Sequence, residues 1–329
     1  MAVKLELFSL NRGLGEDAFT KNSHIQEPIL KNNIETNVFL DTNIISNIRK
    51  FTLKEPSLNA HVYTIVEQVI EIFKKVPNIY ISPGLALYEC CDDLRNKNIT
   101  AFNIFLENYL PRCNDAYNST DANIAMKKEG EYYLLNTWAS IFAIQYITKH
   151  YSDLKPEDKF NKFMDLINEH LCVIDGIICA LAQYAFACRD GLTENHKKIV
   201  KNFIKKGDMK KQSLNATYDI IFIRVISMSY NRKSPSFNNK MESWGLTADQ
   251  GLREYSKLIS FSKDTGPFIS LDIGGLDKIQ DYLESCQSKC YKIGLQRLSS
   301  VNIQNNITNG DKIISNAKIL MAKLENEKI

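Results

Sequence analysis

The chain has 329 residues, 44% hydrophobic and 24% charged, with a formal net charge of +3. Those values exclude a disordered or fibrous polymer, and they exclude a positive field strong enough to hold nucleic acid over the whole surface, so any such site has to be local. Eight cysteines with no CxxC pair among them do not make a disulfide framework or a zinc ribbon, which points to reduced thiols and a cytoplasmic location.

Taken in chain order, Val3-Lys4-Leu5-Glu6-Leu7 alternates as a short strand and does not form the apolar centre of a signal peptide. The remainder of 1–36 is polar and Asn-rich and reads as an N-terminal extension. Residues 37–41 form the first firm strand, ending on a carboxylate, Asp41. Residues 57–76 carry Val62, Ile65, Val66, Val69, Ile70 and Phe73 at helical spacing, and Pro77 stops the helix. A second strand is expected over 78–82. Pro83 and Gly84 then break the chain, and "LALYECCDDL" opens a helix.

From about 85 to 206 the pattern is helical, with segments apolar on more than one face, as in a bundle. The longest apolar run, "LCVIDGIICALAQYAFAC", is interrupted by Asp175 and Gln183. That favours a buried helix over a membrane span. The densest basic run follows: Lys197, Lys198, Lys201, Lys205, Lys206, Lys210 and Lys211. A helix is expected around Asp219, then a polar loop, "NRKSPSFNNKMES". A third strand is expected over 244–248, a helix over 249–260 and a fourth strand over 267–271. The tail puts Ile313, Ile314, Ala317, Leu320, Met321 and Leu324 on one face of a helix. Strands separated by helices imply an α/β class with a parallel sheet. The expected domains are an extension at 1–36, an α/β domain at 37–284 with a helical insertion at about 92–206, and a helical tail at 285–329.

Ligands gather at the carboxyl ends of parallel strands. Asp41 and Asp249 each follow a strand, Glu89 lies early in the helix after the second strand, and Asp219 lies near the start of another helix. If these four acids converge, they repel one another, and unpartnered carboxylates in such a cup have raised pKa values. A hard divalent cation with oxygen ligands removes that conflict. Two such ions about 3.5–4 Å apart can activate water and stabilise the leaving oxygen of a phosphodiester. Each acid also has a plainer reading. Asp41 and Asp249 suit helix N-caps, and Asp219 suits the favoured end of a helix dipole.

The successive motifs "VFLDTNII", "LALYE", "NATYDI" and "LTADQGL" resemble, in order, the acidic motifs of the PIN-domain nucleases. The resemblance covers 37–91 and 207–272. It implies a PIN-like parallel sheet flanked by helices, here with a large helical insertion and a helical tail. It also implies Mg²⁺- or Mn²⁺-dependent endoribonuclease activity that leaves a 5′-phosphate and a 3′-hydroxyl. By that resemblance Asp41, Glu89, Asp219 and Asp249 are the catalytic metal ligands, with Asn43 and Thr247 holding their geometry. Asp175, in "VIDGIICALA", fits the third motif almost as well as Asp219. The family also makes a toxin or phage-defence role plausible.

Lys205, Lys206, Lys210 and Lys211 are the candidate nucleic-acid contacts, either tracking the phosphates of single-stranded RNA toward the acids or forming a solvated helix face. The helical block or tail could dock a protein partner such as an antitoxin, no membrane association is expected, and homo-oligomerisation stays open. Two other nuclease-fold readings stand beside the ribonuclease: a non-catalytic binding or regulatory module, and a structure-specific DNA nuclease. A phosphatase of the haloacid-dehalogenase type needs a second aspartate two residues after the first, where this chain has Asn43.

Overall fold

The computed structural model describes residues 5–8, 35–74, 79–115, 120–229, 241–257, 259–262, 266–269, 276–299 and 309–327. The strands are β1 Glu6–Phe8, β2 Glu35–Leu40, β3 Tyr80–Ser82, β4 Asn114–Asp115, β5 Met241–Thr247, β6 Ile259–Ser262 and β7 Gly266–Ile269. The helices are α1 Thr42–Thr52, α2 Ala60–Lys74, α3 Gly84–Tyr88, α4 Asp92–Tyr109, α5 Thr120–His150 and α6 Pro156–His170. They continue as α7 Gly176–Phe186, α8 Glu194–Phe203, α9 Met209–Ser229, α10 Gln250–Ser256, α11 Gln280–Leu298 and α12 Gly310–Asn326. The chain divides into two compact units, Met1–Ser119 with Phe222–Pro267, and Thr120–Ile221 with Phe268–Ile329.

The first unit is built on a five-stranded sheet in the order β1-β5-β2-β3-β4. β2 runs parallel to both β5 and β3, β4 runs parallel to β3, and β1 closes the edge antiparallel to β5. A strand with parallel neighbours on both sides is covered on both faces, which is why Asn37–Leu40 reads almost without alternation and is buried throughout. The register places Leu40 beside Leu246, and the amide of Asp41 donates to the Leu246 carbonyl at 3.1 Å. The two strands therefore end side by side. Ile44, Ile45 and Ile48 turn one face of α1 inward, and α2 contributes Val62, Ile65, Val66, Val69 and Phe73. These side chains form one core with Val38, Leu40, Trp244 and Leu246.

Several elements differ from the sequence reading. The alternating segment read as a short strand does supply β1, but with Leu7 and the preceding Leu5 buried in the sheet core it belongs to the sheet and not to an extension. The rest of the Asn-rich run, the loop at 230–240 and residues 270–271 of the expected fourth strand lie outside the described residues. The helix expected over 249–260 ends at Ser256, and Ile259–Ser262 pairs with Gly266–Ile269 in a separate two-stranded sheet. Ile259-Ser260-Phe261-Ser262 alternates with period two, so it suits a strand and not a helix. The helix opened by "LALYECCDDL" breaks after Tyr88 and restarts at Asp92. Arg95 reaches back there: Nε donates to the Leu87 carbonyl and Nη2 to the Cys90 carbonyl, both at 2.9 Å. The guanidinium satisfies carbonyls that the helix leaves open at its end.

The second unit is helical. α12 packs on α5, and α11 packs on α6. The apolar face foreseen in the tail is real, with Ile313, Ala317, Leu320, Met321 and Leu324 buried. It is covered from within this unit and is not an open docking face. Arg297 of α11 donates to the Leu171 carbonyl at 3.1 Å and to that of Cys172, holding the chain where α6 ends. No described helix is long and apolar enough to cross a membrane.

Candidate active site

The carboxyl ends of β5, β2 and β3 are adjacent in the sheet, and each leads into an acid. After β2 comes Asp41, 7% exposed, at the N-cap position of α1. It makes no side-chain cap hydrogen bond. Instead its Oδ2 accepts from Thr247 Oγ1 at 2.7 Å, across to the end of β5. Thr247 Oγ1 in turn accepts from the amide of Asp249 at 2.9 Å. One buried hydroxyl thus ties together the ends of two strands that are far apart in sequence. A hydrogen bond to a charged group of this kind stabilises by about 1.5–3 kcal/mol. After β3, the turn that closes α3 carries Glu89 as its C-cap residue.

The electrostatics join these acids. Burial raises the pKa of Asp41, and the charge of Asp249 raises it further, while the Thr247 hydroxyl and the amides of Asn43 and Thr42 draw it partly back. Burial also lifts Glu89 to about 8, with the charge of Asp41 adding to the rise and the Thr42 hydroxyl opposing it. Thr42 Oγ1 is buried, with the Glu89 carboxyl as its neighbour. Asp41 is buried and Glu89 partly buried, and burial is the main cause of the rise at both. Thr42 escaped the sequence reading, although it stands inside the "LDTN" motif. At the first position of α1 its hydroxyl is directed toward the acid that follows the neighbouring strand, and that neighbour comes from strand order.

The remaining expected residues have local partners of their own. Asp249 Oδ1 accepts from the Leu252 amide at 2.9 Å, so this acid also caps α10. Asn43 is exposed, and its backbone amide rather than its side chain bears on Asp41. Asp219 belongs to the second unit, on α9, where Asn202 Nδ2 donates to its carboxylate at 3.5 Å. Asp175 caps α7, its Oδ1 accepting from the Ile177 amide at 3.0 Å. Lys205, Lys206 and Lys211 are exposed on the second unit, and Lys210 pairs with Glu325 at 3.0 Å. Among the described residues no three His, Cys, Asp or Glu side chains are grouped closely enough to hold a metal ion as they stand.

No protein-family model, curated protein or solved structure matches this chain. The donor set at the strand ends therefore has to speak through its own chemistry. It consists of carboxylate and hydroxyl oxygens, with no sulfur or imidazole. Such a set suits a hard cation such as Mg²⁺ or Mn²⁺ and is unsuited to a soft metal.

Proposed function

We propose that this protein is a metal-dependent endoribonuclease of the PIN type, acting at the carboxyl ends of β5, β2 and β3. The observation that carries the reading is the state of Asp41. It occupies the N-cap position of α1, yet its carboxylate reaches across to Thr247 at the end of β5 and is buried against a second carboxylate. The parallel strand order, the sequence order of the acids and the all-oxygen donor set support the same reading.

Asp41 and Asp249 would hold Mg²⁺ or Mn²⁺, with Glu89 beside them directly or through water. The ion, when bound, supplies a water of lowered pKa and positive charge for the phosphoryl oxygens. Thr247 fixes the rotamer of Asp41 through Oγ1 and orients the Asp249 amide. Glu89, protonated at neutral pH by burial, gives up that proton on binding, so metal affinity rises with pH toward 8. The reading takes nothing from Asp219 or Asp175. The plain alternative is a binding module without catalysis, favoured by the lack of a ready metal cluster among the described residues.

The test is Asp41→Asn, which keeps the shape and the acceptor for Thr247. Cleavage of single-stranded RNA in Mn²⁺ is expected to fall by at least 10³-fold, on the order of a lost principal ligand or electrostatic group. The fold should persist by circular dichroism, and metal-free stability should hold or rise because a buried charge is gone. A single-stranded DNA arm and a chelator control decide substrate and metal dependence. Undiminished cleavage by the variant removes this site from consideration.

A further inference from the structure

Within the second unit lies a cavity of about 520 Å³. Its floor is apolar, from Leu192, Val200 and Ile204, and its cations are Arg189, Lys197, Lys201, Lys205 and Lys206. No carboxylate lines it. Lys197 is paired with Glu194 at 2.8 Å on the exposed side of α8. Lys201, Lys205 and Lys206 have no ion pair among the described residues. Stabilisation of a helix C-terminus explains Lys201 in the last turn of α8. It does not explain cations converging from three separate segments.

The backbone builds this convergence. Gly191 ends the short 3₁₀ turn that carries Arg189, and a Cβ there would collide with Ile279, so the close approach that fixes the turn requires glycine. Lys197 and Lys201 share a face of α8 one turn apart. Lys205 and Lys206 follow directly after Ile204 and line the same cavity, and Gly207 comes next at φ +127°, a conformation side chains rarely adopt. Glu194 offsets part of this charge, at Lys197 and Arg189, and the remaining like charges repel, by about 0.5 kcal/mol per pair at 8 Å in water and more where water is excluded. A polyanion reverses the sign of that interaction.

We infer that this cavity is a binding site for a nucleotide, with its phosphates at the lysine and arginine mouth and its base or sugar against the apolar floor. The volume lies within the range of small-molecule sites, about 300–1,000 Å³, and the combination of an apolar floor with a cationic rim matches an amphiphilic anion better than bare phosphate. The inference is independent of the nuclease reading, and it assigns the upstream lysines to a discrete cleft rather than to a track along an RNA strand.

The test is calorimetric titration of the full chain in chelator, so that the carboxylates at the strand ends contribute no metal. The probes are ATP, tripolyphosphate, inorganic phosphate and a single-stranded RNA 12-mer. ATP is expected to bind one to one and tighter than tripolyphosphate, with inorganic phosphate weakest. Lys201→Glu with Lys205→Glu, both at exposed positions, should weaken ATP binding at least tenfold with an unchanged circular dichroism spectrum. Asp41→Asn should leave it unaltered, which separates this site from the nuclease reading. Absence of saturable ATP binding overturns the inference, as does indifference to the charge reversals. So does tripolyphosphate binding as tightly as ATP, or binding of the RNA alone.

Discussion

In the turn after α3 the carboxyl group of Glu89 is held at about 8 instead of its ordinary 4.5, chiefly by burial and then by the charge of Asp41. Its folded pKa is raised above the unfolded value, so the folded state binds the extra proton. The associated stability is complete below about 4.5 and is lost as pH climbs through about 8, a swing on the order of a few kcal/mol. Glu89→Gln removes the titration. Urea midpoints of wild type and variant should coincide near pH 4.5, and the variant should be the more stable by pH 9. Saturating Mn²⁺ should narrow the gap at high pH in the wild type only, because only there does it find a carboxylate. A constant difference across the range would mean that Glu89 sits in water with an ordinary pKa.

One element places that carboxyl. α3 has only the five residues Gly84–Tyr88, too few to be stable by itself, and its end is held by Arg95 of α4 through the Leu87 and Cys90 carbonyls. Arg95→Ala takes its donor from the Cys90 carbonyl and leaves that of Leu87 with the Cys90 amide alone, at a cost of about 1–3 kcal/mol. It should also return Glu89 toward ordinary acidity as water enters, visible as a shallower pH dependence of stability than in the wild type. If the pH dependence is unchanged, the turn is held by something other than Arg95. Elements of this kind mark the limit of what the sequence discloses. β2, α2 and the buried face of α12 were legible because their apolar spacing is long and regular. β4, two residues paired with β3, carries no pattern of its own. The α3–α4 break depends on a side chain reaching back from the following helix, and β6 was absorbed into a helix by its neighbours. The adjacency of Asp41, Glu89 and Asp249 followed from acids placed after parallel strands. That Asp249 also caps α10 was legible as its plainer reading. That Asp41 is held by Thr247, 206 positions away, required the β2–β5 register.

The molecule as a whole consists of two units, each with its own buried core, and separate cores need not unfold in one step. The sheet unit holds the acids, and the helical unit holds the cationic cavity. Calorimetric scans should therefore resolve two transitions with separate ligand responses. Mn²⁺ at about 100 times its dissociation constant stabilises a folded unit by about 2.7 kcal/mol, which moves a transition of this size by roughly 5–10 °C. That shift should fall on the transition assigned to the sheet unit by Trp244 fluorescence, since Trp244 is fully buried in its core. It should vanish in Asp41→Asn and be larger at pH 8.5 than at pH 6.5, because Glu89 must lose its proton to bind. A nucleotide without metal should move the other transition alone. Movement of both transitions by Mn²⁺ in the Asp41→Asn variant would place the divalent site outside the strand ends.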